Sequence, residues 1–319
     1  MNRRAFLVAS LIGSLPAATR AEGWPVPVAR FIVPYAPGSA IDIPARLIAE
    51  RLNAALGATF IVENRAGAGG AVGAQAVAQA PADGSAFLFT SSSVSILPAL
   101  QPHLGFDPVR DLMPISLVCD VPSASLVRTE SRFKSVSEVI EAARAAPGKL
   151  TYGSGGVGSS NHLAGAAFAS LAGIDLVHVP YRGTGQTLNA LYAGEIDLMF
   201  APTLDALGHI KQGRLRPIGT TLAERVPAMA DVPAIAETVR GYAVSNWFAI
   251  FAHAGLPVDL RSRLVDALAK LRDWPDLKKR FDEGAAVVRL DGPDPLATRM
   301  AEDTKRWAAL IAKLGIKPE

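Results

Sequence analysis

The densest set of residues able to hold a small anion is Gly153-Ser154-Gly155-Gly156-Val157-Gly158, followed by Ser159 and Ser160. It comes after a β-like run and opens a helical pattern. Its backbone N–H groups therefore gather at a helix N-terminus, where small residues allow close approach and the helix dipole favours negative charge. Two other stretches repeat the device. Tyr35-Ala36-Pro37-Gly38-Ser39-Ala40 joins a strand to a helix, and Ser91-Ser92-Ser93 follows another strand. In open parallel sheets, ligands settle at the carboxyl ends of strands. Two units presenting such loops to one cleft would clamp a small carboxylate through amides and hydroxyls, without needing an arginine.

The spacing Gly-x-Gly-x-x-Gly also fits a dinucleotide fingerprint, which requires an acid about twenty residues on. Asp175 stands at that distance but at the start of the next strand, whereas the ribose-binding acid belongs at the carboxyl end, occupied here by Pro180-Tyr181. An exported NAD(P)-type oxidoreductase using the Gly153–Gly158 loop is thus the alternative from another class. Other catalytic sets are missing: no His-Glu-x-x-His, no Gly-x-Ser-x-Gly and no phosphate loop ending in Gly-Lys-Ser/Thr. Ser131-Arg132-Phe133-Lys134 matches Ser-x-x-Lys without its companion motifs. His103, His162, His178, His209 and His253 never fall at i, i+4 and suggest no metal site. His178, inside an apolar strand, reads as a satisfied core histidine. Cys119 is the one cysteine, which excludes an internal disulfide or a multi-thiolate site.

The elements that must carry these loops alternate. Strands are expected at Arg30–Pro34, Thr59–Glu63, Ala86–Thr90, Leu150–Gly153, Leu176–Pro180, Ile196–Ala201 and Asn246–Ala252. Helices are expected at Ile43–Leu56 and Gly69–Ala80, with Ser135 and Glu138 as a capping box for one ending at Pro147-Gly148. The C-terminal part is mostly helical, over Pro257–Arg272, Pro275–Glu283 and Pro295–Leu314. Strand–helix alternation of this kind means α/β architecture, with parallel-rich sheets flanked by helices. Crossovers are expected around Asp120–Ser125 and Arg240–Ser245. They divide the chain into residues 22–122 plus 244–319 as domain 1 and 123–243 as domain 2, with the ligand cleft between.

The 319 residues carry 32 Lys+Arg against 29 Asp+Glu. Residues 1–21 hold Arg3, Arg4 and Arg20 and no acid, so the remainder balances at 29 of each sign and offers no footprint for nucleic acid. Those first residues have a basic start, an apolar Ala5–Leu15 run and small residues up to Ala21, the layout of a secretory signal peptide. Arg3-Arg4-Ala5-Phe6-Leu7 also resembles a twin-arginine signal, but the ordinary secretory route is the expected one. No later run of 18 uninterrupted apolar residues occurs, and the longest, Ile115–Val127, is broken by Asp120 and Pro122. The expected location is the periplasm.

Several motifs in order resemble one family. Phe31-Ile32-Val33-Pro34-Tyr35-Ala36-Pro37-Gly38-Ser39 with Asp42 and Ala45-Arg46 is similar to the opening motif of the Bug (TctC-like) extracytoplasmic solute receptors of tripartite tricarboxylate transporters. Glu63-Asn64-Arg65-Ala66-Gly67-Ala68-Gly69-Gly70, Pro81-Ala82-Asp83-Gly84, Pro147–Tyr152, His162-Leu163, His178–Gly183, Trp247 and Lys305-Arg306-Trp307 continue the likeness over the whole mature chain. The resemblance implies a two-domain periplasmic-binding-protein fold (type II-like), no catalysis and no cofactor. It implies a small carboxylate ligand, membrane permease subunits as partners, and a monomer. A sensor subunit signalling to a membrane kinase would use the same fold. The ligand would lie among Tyr35, Ala36, Pro37, Gly38, Ser39 and Asp42; Thr90, Ser91, Ser92 and Ser93; Ser154, Gly155, Gly156, Ser159 and His162; and Arg182, Gly183 and Thr184. Pro202, Thr203 and Asp205 would be nearby. The chain departs from the family's usual Gly-Gly at Gly38-Ser39. Pro44 fits only a first helical turn, so that helix is expected to start near Asp42.

Overall fold

The computed structural model describes residues 24–101 and 103–316, and the export segment read in residues 1–21 lies outside them. In chain order the elements are β1 (Val28–Val33), α1 (Asp42–Leu56), β2 (Thr59–Asn64), α2 (Ala71–Ala78), β3 (Ala86–Ser91), α3 (Leu97–Leu100), α4 (Pro108–Asp111), β4 (Leu112–Val121), β5 (Ser123–Arg128) and α5 (Val136–Ala145). They continue with β6 (Thr151–Ser154), α6 (Ser160–Ala172), β7 (Val177–Pro180), α7 (Thr184–Ala193), β8 (Leu198–Pro202), α8 (Thr203–Lys211), β9 (Leu215–Thr220), β10 (Asn246–His253), α9 (Val258–Ala269), α10 (Pro275–Glu283), β11 (Val287–Asp291) and α11 (Pro293–Leu314).

They build two α/β units around two sheets, one ordered β11-β4-β10-β3-β1-β2 and the other β7-β6-β8-β5-β9. The strand–helix alternation appears as parallel pairs, β1 with β2 and β3, and β6 with β7 and β8. The other half of each sheet is antiparallel, where β10 and β11 return to the first and β5 and β9 flank the second. Both sheets are therefore mixed. The cause is the apolar run Ile115–Val127: it forms β4 and β5 in succession, with Pro122 alone between them, and each joins a different sheet. The return passes from β9 to β10. The two crossings are tied together, because Thr221 N–H donates to the Ser123 carbonyl and Val244 N–H to that of Thr221.

Local features follow from residue type. α1 starts at Asp42, with Pro44 in its first turn, and ends at Gly57 in the left-handed region. Ser135 caps α5 by accepting from Glu138 N–H, but the Glu138 carboxylate accepts from Lys134 N–H rather than closing a box on Ser135. In the first unit Phe31, Phe60, Phe87 and Trp24 pack as an aromatic cluster, and Trp24 Nε1 donates to the Gly84 carbonyl. Burying each such ring is worth about 1.5–3 kcal/mol. Within α11, Leu296 and Met300 join the core of the first unit, whereas Trp307 and Ile311 join the core of the second. The C-terminal half of α11 therefore shares a core cluster with residues of α6 in the second unit, and Lys313 Nζ donates to Ser170 Oγ there.

Candidate functional site

Each sheet has a strand from which successive connections leave in opposite directions. From β1, the chain goes through α1 to β2 on one side, then through α2 to β3 on the other; β6 repeats this with β7 and β8. The carboxyl end of such a strand is where an open α/β sheet leaves a crevice. β1 ends at Tyr35–Ser39 and β6 ends at Gly155–Ser159, so both glycine-bearing loops occupy switch points. The parallel neighbours add Ser91–Ser93 after β3, Arg182–Thr184 after β7 and Pro202–Thr203 after β8.

On the first unit, Asp42 is buried and holds the Tyr35–Ser39 loop in place. Its Oδ2 accepts from Gly38 N–H at 2.9 Å and Arg46 Nε at 2.9 Å, and its Oδ1 from Arg46 Nη2 at 3.1 Å and Asn64 Nδ2 at 2.8 Å. Burial alone would raise this carboxyl, but the bonds from Arg46, Gly38 and Asn64 outweigh it and hold it below the usual range. Asn64 Nδ2 also donates to the Tyr35 carbonyl. The Tyr35 hydroxyl lies 2.5 Å from Ser91 Oγ and 2.6 Å from Ser93 Oγ, a triangle of hydroxyls between the loop and the end of β3. Ser92 turns away and donates to Asn246 Oδ1. Thr90 is buried within β3. The Ser39 hydroxyl is buried with no protein partner.

On the second unit, Ser154 is fully buried at the end of β6 and its hydroxyl meets both the N–H and the carbonyl of Gly156. Ser159 caps α6: its hydroxyl accepts from His162 N–H and donates to the Gly156 carbonyl. A Cβ at Gly155 would stand 3.2 Å from Gly183 Cα and 3.3 Å from Thr184 N. A side chain there would press on that backbone, so glycine lets the loop that leads into α6 lie directly against the start of α7. Arg182 is exposed there, and its N–H donates to Gln186 Oε1. The two units meet across these loops, because Ile96 and Leu100, just beyond Ser91–Ser93, pack with Leu163 of α6.

Four expected site residues have other partners. Thr203 is buried, and both its N–H and its hydroxyl donate to the Pro122 carbonyl, fastening α8 to the crossing between the sheets. Pro202 is the last residue of β8, paired with Ser123. Asp205 is partly buried, and burial pushes its carboxyl up to about 6 against the pull of Arg280 from α10. His162 Nδ1 accepts from Gly158 N–H, within its own loop. Residues that pattern reading gave no role include Asn246, beside the motif residue Trp247, and Asn161. The Asn161 side chain is buried with its Nδ2 unpartnered. Nothing in its spacing signals this, since it follows from packing.

Cavities of about 380 and 470 Å³ lie elsewhere, along α11 beside the crossings, lined by residues such as Ser245, Arg299 and Asp303, and Asp120 and Arg289. Among the described residues no group of three His, Cys, Asp or Glu side chains could hold a metal, and no helix is long and apolar enough to cross a membrane. Asp175 precedes β7 at its amino end, away from the Gly153–Gly158 loop.

Comparison with known proteins places this arrangement among relatives. The family model described as tripartite tricarboxylate transporter family receptor matches residues 44–316. The periplasmic binding protein BugD is similar over 92% of this chain and 99% of its own, at 30% identity and a TM-score of 0.81. An R. palustris protein solved with adipate is 29% identical, covering 93% of this chain and 100% of its own, with a TM-score of 0.85. MatC from Rhodopseudomonas palustris, solved with bound malate, is 29% identical over 90% of this chain and 99% of its own, with a TM-score of 0.80.

Proposed function

The chain belongs to the tripartite tricarboxylate transporter receptor family, a family of solute-binding proteins and not of enzymes, and from that premise we propose that it captures a small carboxylate in the crevice between its two units. The observation that carries the reading is the pair of switch-point loops. The starts of α6 and α7 supply a convergent anion site on one unit, and the hydroxyl triangle of Tyr35, Ser91 and Ser93 supplies polar partners on the other. The adipate and malate in the two similar structures support a carboxylate-bearing metabolite. On this reading the contacts come from Tyr35–Ser39, Ser91 and Ser93, Ser154–Ser159 and Arg182–Thr184, while Asp42 and Thr203 hold the loops. No resident cofactor is needed.

Residues 22–122 with 244–319 form one domain and 123–243 the other, and closure is a hinge movement about the tied crossings at Pro122 and Thr221–Ser245. The protein works as an exported monomer in the periplasm, residues 1–21 being its secretory signal, and hands its ligand to the membrane permease subunits of a transporter. A ligand that binds only the folded state raises the melting temperature, by the equivalent of about 2.7 kcal/mol at a hundredfold excess over Kd. Adipate, malate and a panel of di- and tricarboxylates should include at least one that does so. A folded mature chain that none of them stabilises would overturn the reading.

A further inference from the structure

Behind the Gly155–Gly158 loop, the rings of His162 and His178 stack with centroids 3.8 Å apart and planes 12° from parallel. They come from different elements, α6 and β7, and each reaches the loop through one nitrogen. His162 Nδ1 accepts from Gly158 N–H at 3.0 Å, so the ring proton sits on Nε2. His178 Nε2 lies 2.6 Å from Ser154 Oγ, the hydroxyl that also meets the Gly156 carbonyl at 3.0 Å. Donation from Nε2–H to Ser154, and from Ser154 to Gly156, satisfies all three groups. Gly158 has φ of +76°, and a Cβ there would stand 2.0 Å from Leu100 Cδ1 of the first unit. Its placement therefore decides both the aim of the loop amides and the fit between the units. Tyr152 of β6 lies against the pair, at 5.0 Å from His178 between centroids. α6 itself carries no charged side chain.

We propose that His162 and His178 are positioning residues for ligand binding: His162 sets Gly158 and His178 sets Ser154 and Gly156, so the stacked pair aims the loop amides from behind without contacting the ligand. This rests on reading the loop as a carboxylate site. It replaces the expectation that His162 touches the ligand, since the side chain is buried behind the loop and its Nδ1 is committed to Gly158. A neutral pair is required, because a proton on Nδ1 of His162 would oppose the Gly158 N–H.

The test uses substitutions that keep or remove one nitrogen's role. Asparagine places its carbonyl oxygen about where Nδ1 stands, and glutamine can place its amide about where Nε2 stands. For His162→Ala, His162→Asn, His178→Ala and His178→Gln, hydrogen exchange of the Gly156 and Gly158 amides is followed by NMR on the mature chain. Calorimetry with adipate and malate runs in parallel. The alanine variants should expose the corresponding amide and weaken binding about tenfold, the size of one lost hydrogen bond, whereas His162→Asn and His178→Gln should restore both. Alanine variants with unchanged exchange and affinity would overturn the proposal. So would an asparagine variant as weak as alanine with Gly158 still protected, because the ring itself would then be a ligand contact. If the unaltered protein binds neither probe nor any other carboxylate, the carboxylate reading fails, and the exchange measurement still decides whether the pair sets the loop. His178 is half-buried on an edge strand, so its variants carry the test if His162→Ala does not fold.

Discussion

Asp42 receives four N–H donors, one for each lone-pair direction a carboxylate offers, so the buried charge is fully used in shaping the Tyr35–Ser39 loop. The histidine pair has no such compensation. Burial lowers His162 to about 3, with His178 adding to the effect, and burial lowers His178 to about 4. Both are below the ordinary value of 6.5, so between about pH 6.5 and 4 the unfolded chain binds protons that the folded chain refuses. The pair should therefore lower stability as pH drops through that window, opposed in part by Asp205, whose carboxyl, raised to about 6, takes up a proton in the folded chain before it does in the unfolded one. The slope approaches about 1.4 kcal/mol per pH unit for His162 and is smaller for the partly exposed His178. Asp42, with its lowered pKa, contributes only further down, where its carboxylate begins to protonate. Urea unfolding from pH 7 to pH 4 should show the decline, and His162→Asn should flatten it. An equal slope in that variant would assign the acid sensitivity elsewhere. At this scale the sequence displays residue types and little more. The serines and glycines of both loops stand out in the sequence as able to hold an anion, a reading that remains the proposal above, whereas Asp42, Thr203 and His162 fold back onto their own surroundings. That direction depends on partners 4 to 81 positions away, Arg46 for Asp42 and Pro122 for Thr203.

Among elements, the strand–helix alternation was readable because the β-runs lead into glycine- or proline-bearing turns and helices such as α1 bury a periodic apolar face. The two switch points follow from it once the strand order is known. What spacing concealed was the antiparallel half: β4 and β5 form one apolar run without glycine, and β9 and β11 are short and mixed in polarity. Pairing across more than a hundred residues, as for β4 with β10, leaves no local mark. Gly155 and Gly208 can be separated by what surrounds them. At Gly155 an added methyl would press on the backbone of Gly183 and Thr184, and backbone cannot rotate aside. Gly155→Ala should push the start of α7 away, weakening carboxylate binding about tenfold at a stability cost of about 1–2 kcal/mol. Gly208 in α8 has nothing within 4 Å of that position. Gly208→Ala should instead raise stability by about 1 kcal/mol through helix propensity and leave affinity alone. Calorimetry and urea unfolding of the two variants provide the comparison. Equal affinities would show that the contact between Gly155 and the start of α7 does not set the site.

Across the whole molecule, the two crossings alone would leave the units joined by strands, yet α11 fastens them further. Asp303 is buried in this helix and accepts from Trp247 Nε1 at 2.7 Å and Arg306 Nη2 at 2.8 Å, while Arg299 donates to Ser245 at the return crossing. Arg306 also donates to the Ala243 carbonyl, and Arg299 lies 3.8 Å from Asp120, which also pairs with Arg289 of β11, just before Pro122. One helix thus holds both crossings by polar contacts and both cores by apolar ones, through Leu296 and Met300 on one side and Trp307 and Ile311 on the other. In the proposed hinge closure this helix would have to stay seated, which favours a rotation about the crossings over wide separation. The side chain that tests this is Trp307, the larger of the two α11 residues buried in the second unit's core. Trp307→Ala removes a large apolar contact, at about 3–5 kcal/mol. If α11 couples the units, the loss should appear as a split calorimetric transition, the second unit melting ahead of the first, because β4–β5 and β9–β10 alone transmit too little packing for cooperative unfolding. A single transition shifted down as a whole would mean that the crossings themselves couple the units, and that α11 contributes to stability without governing how they move.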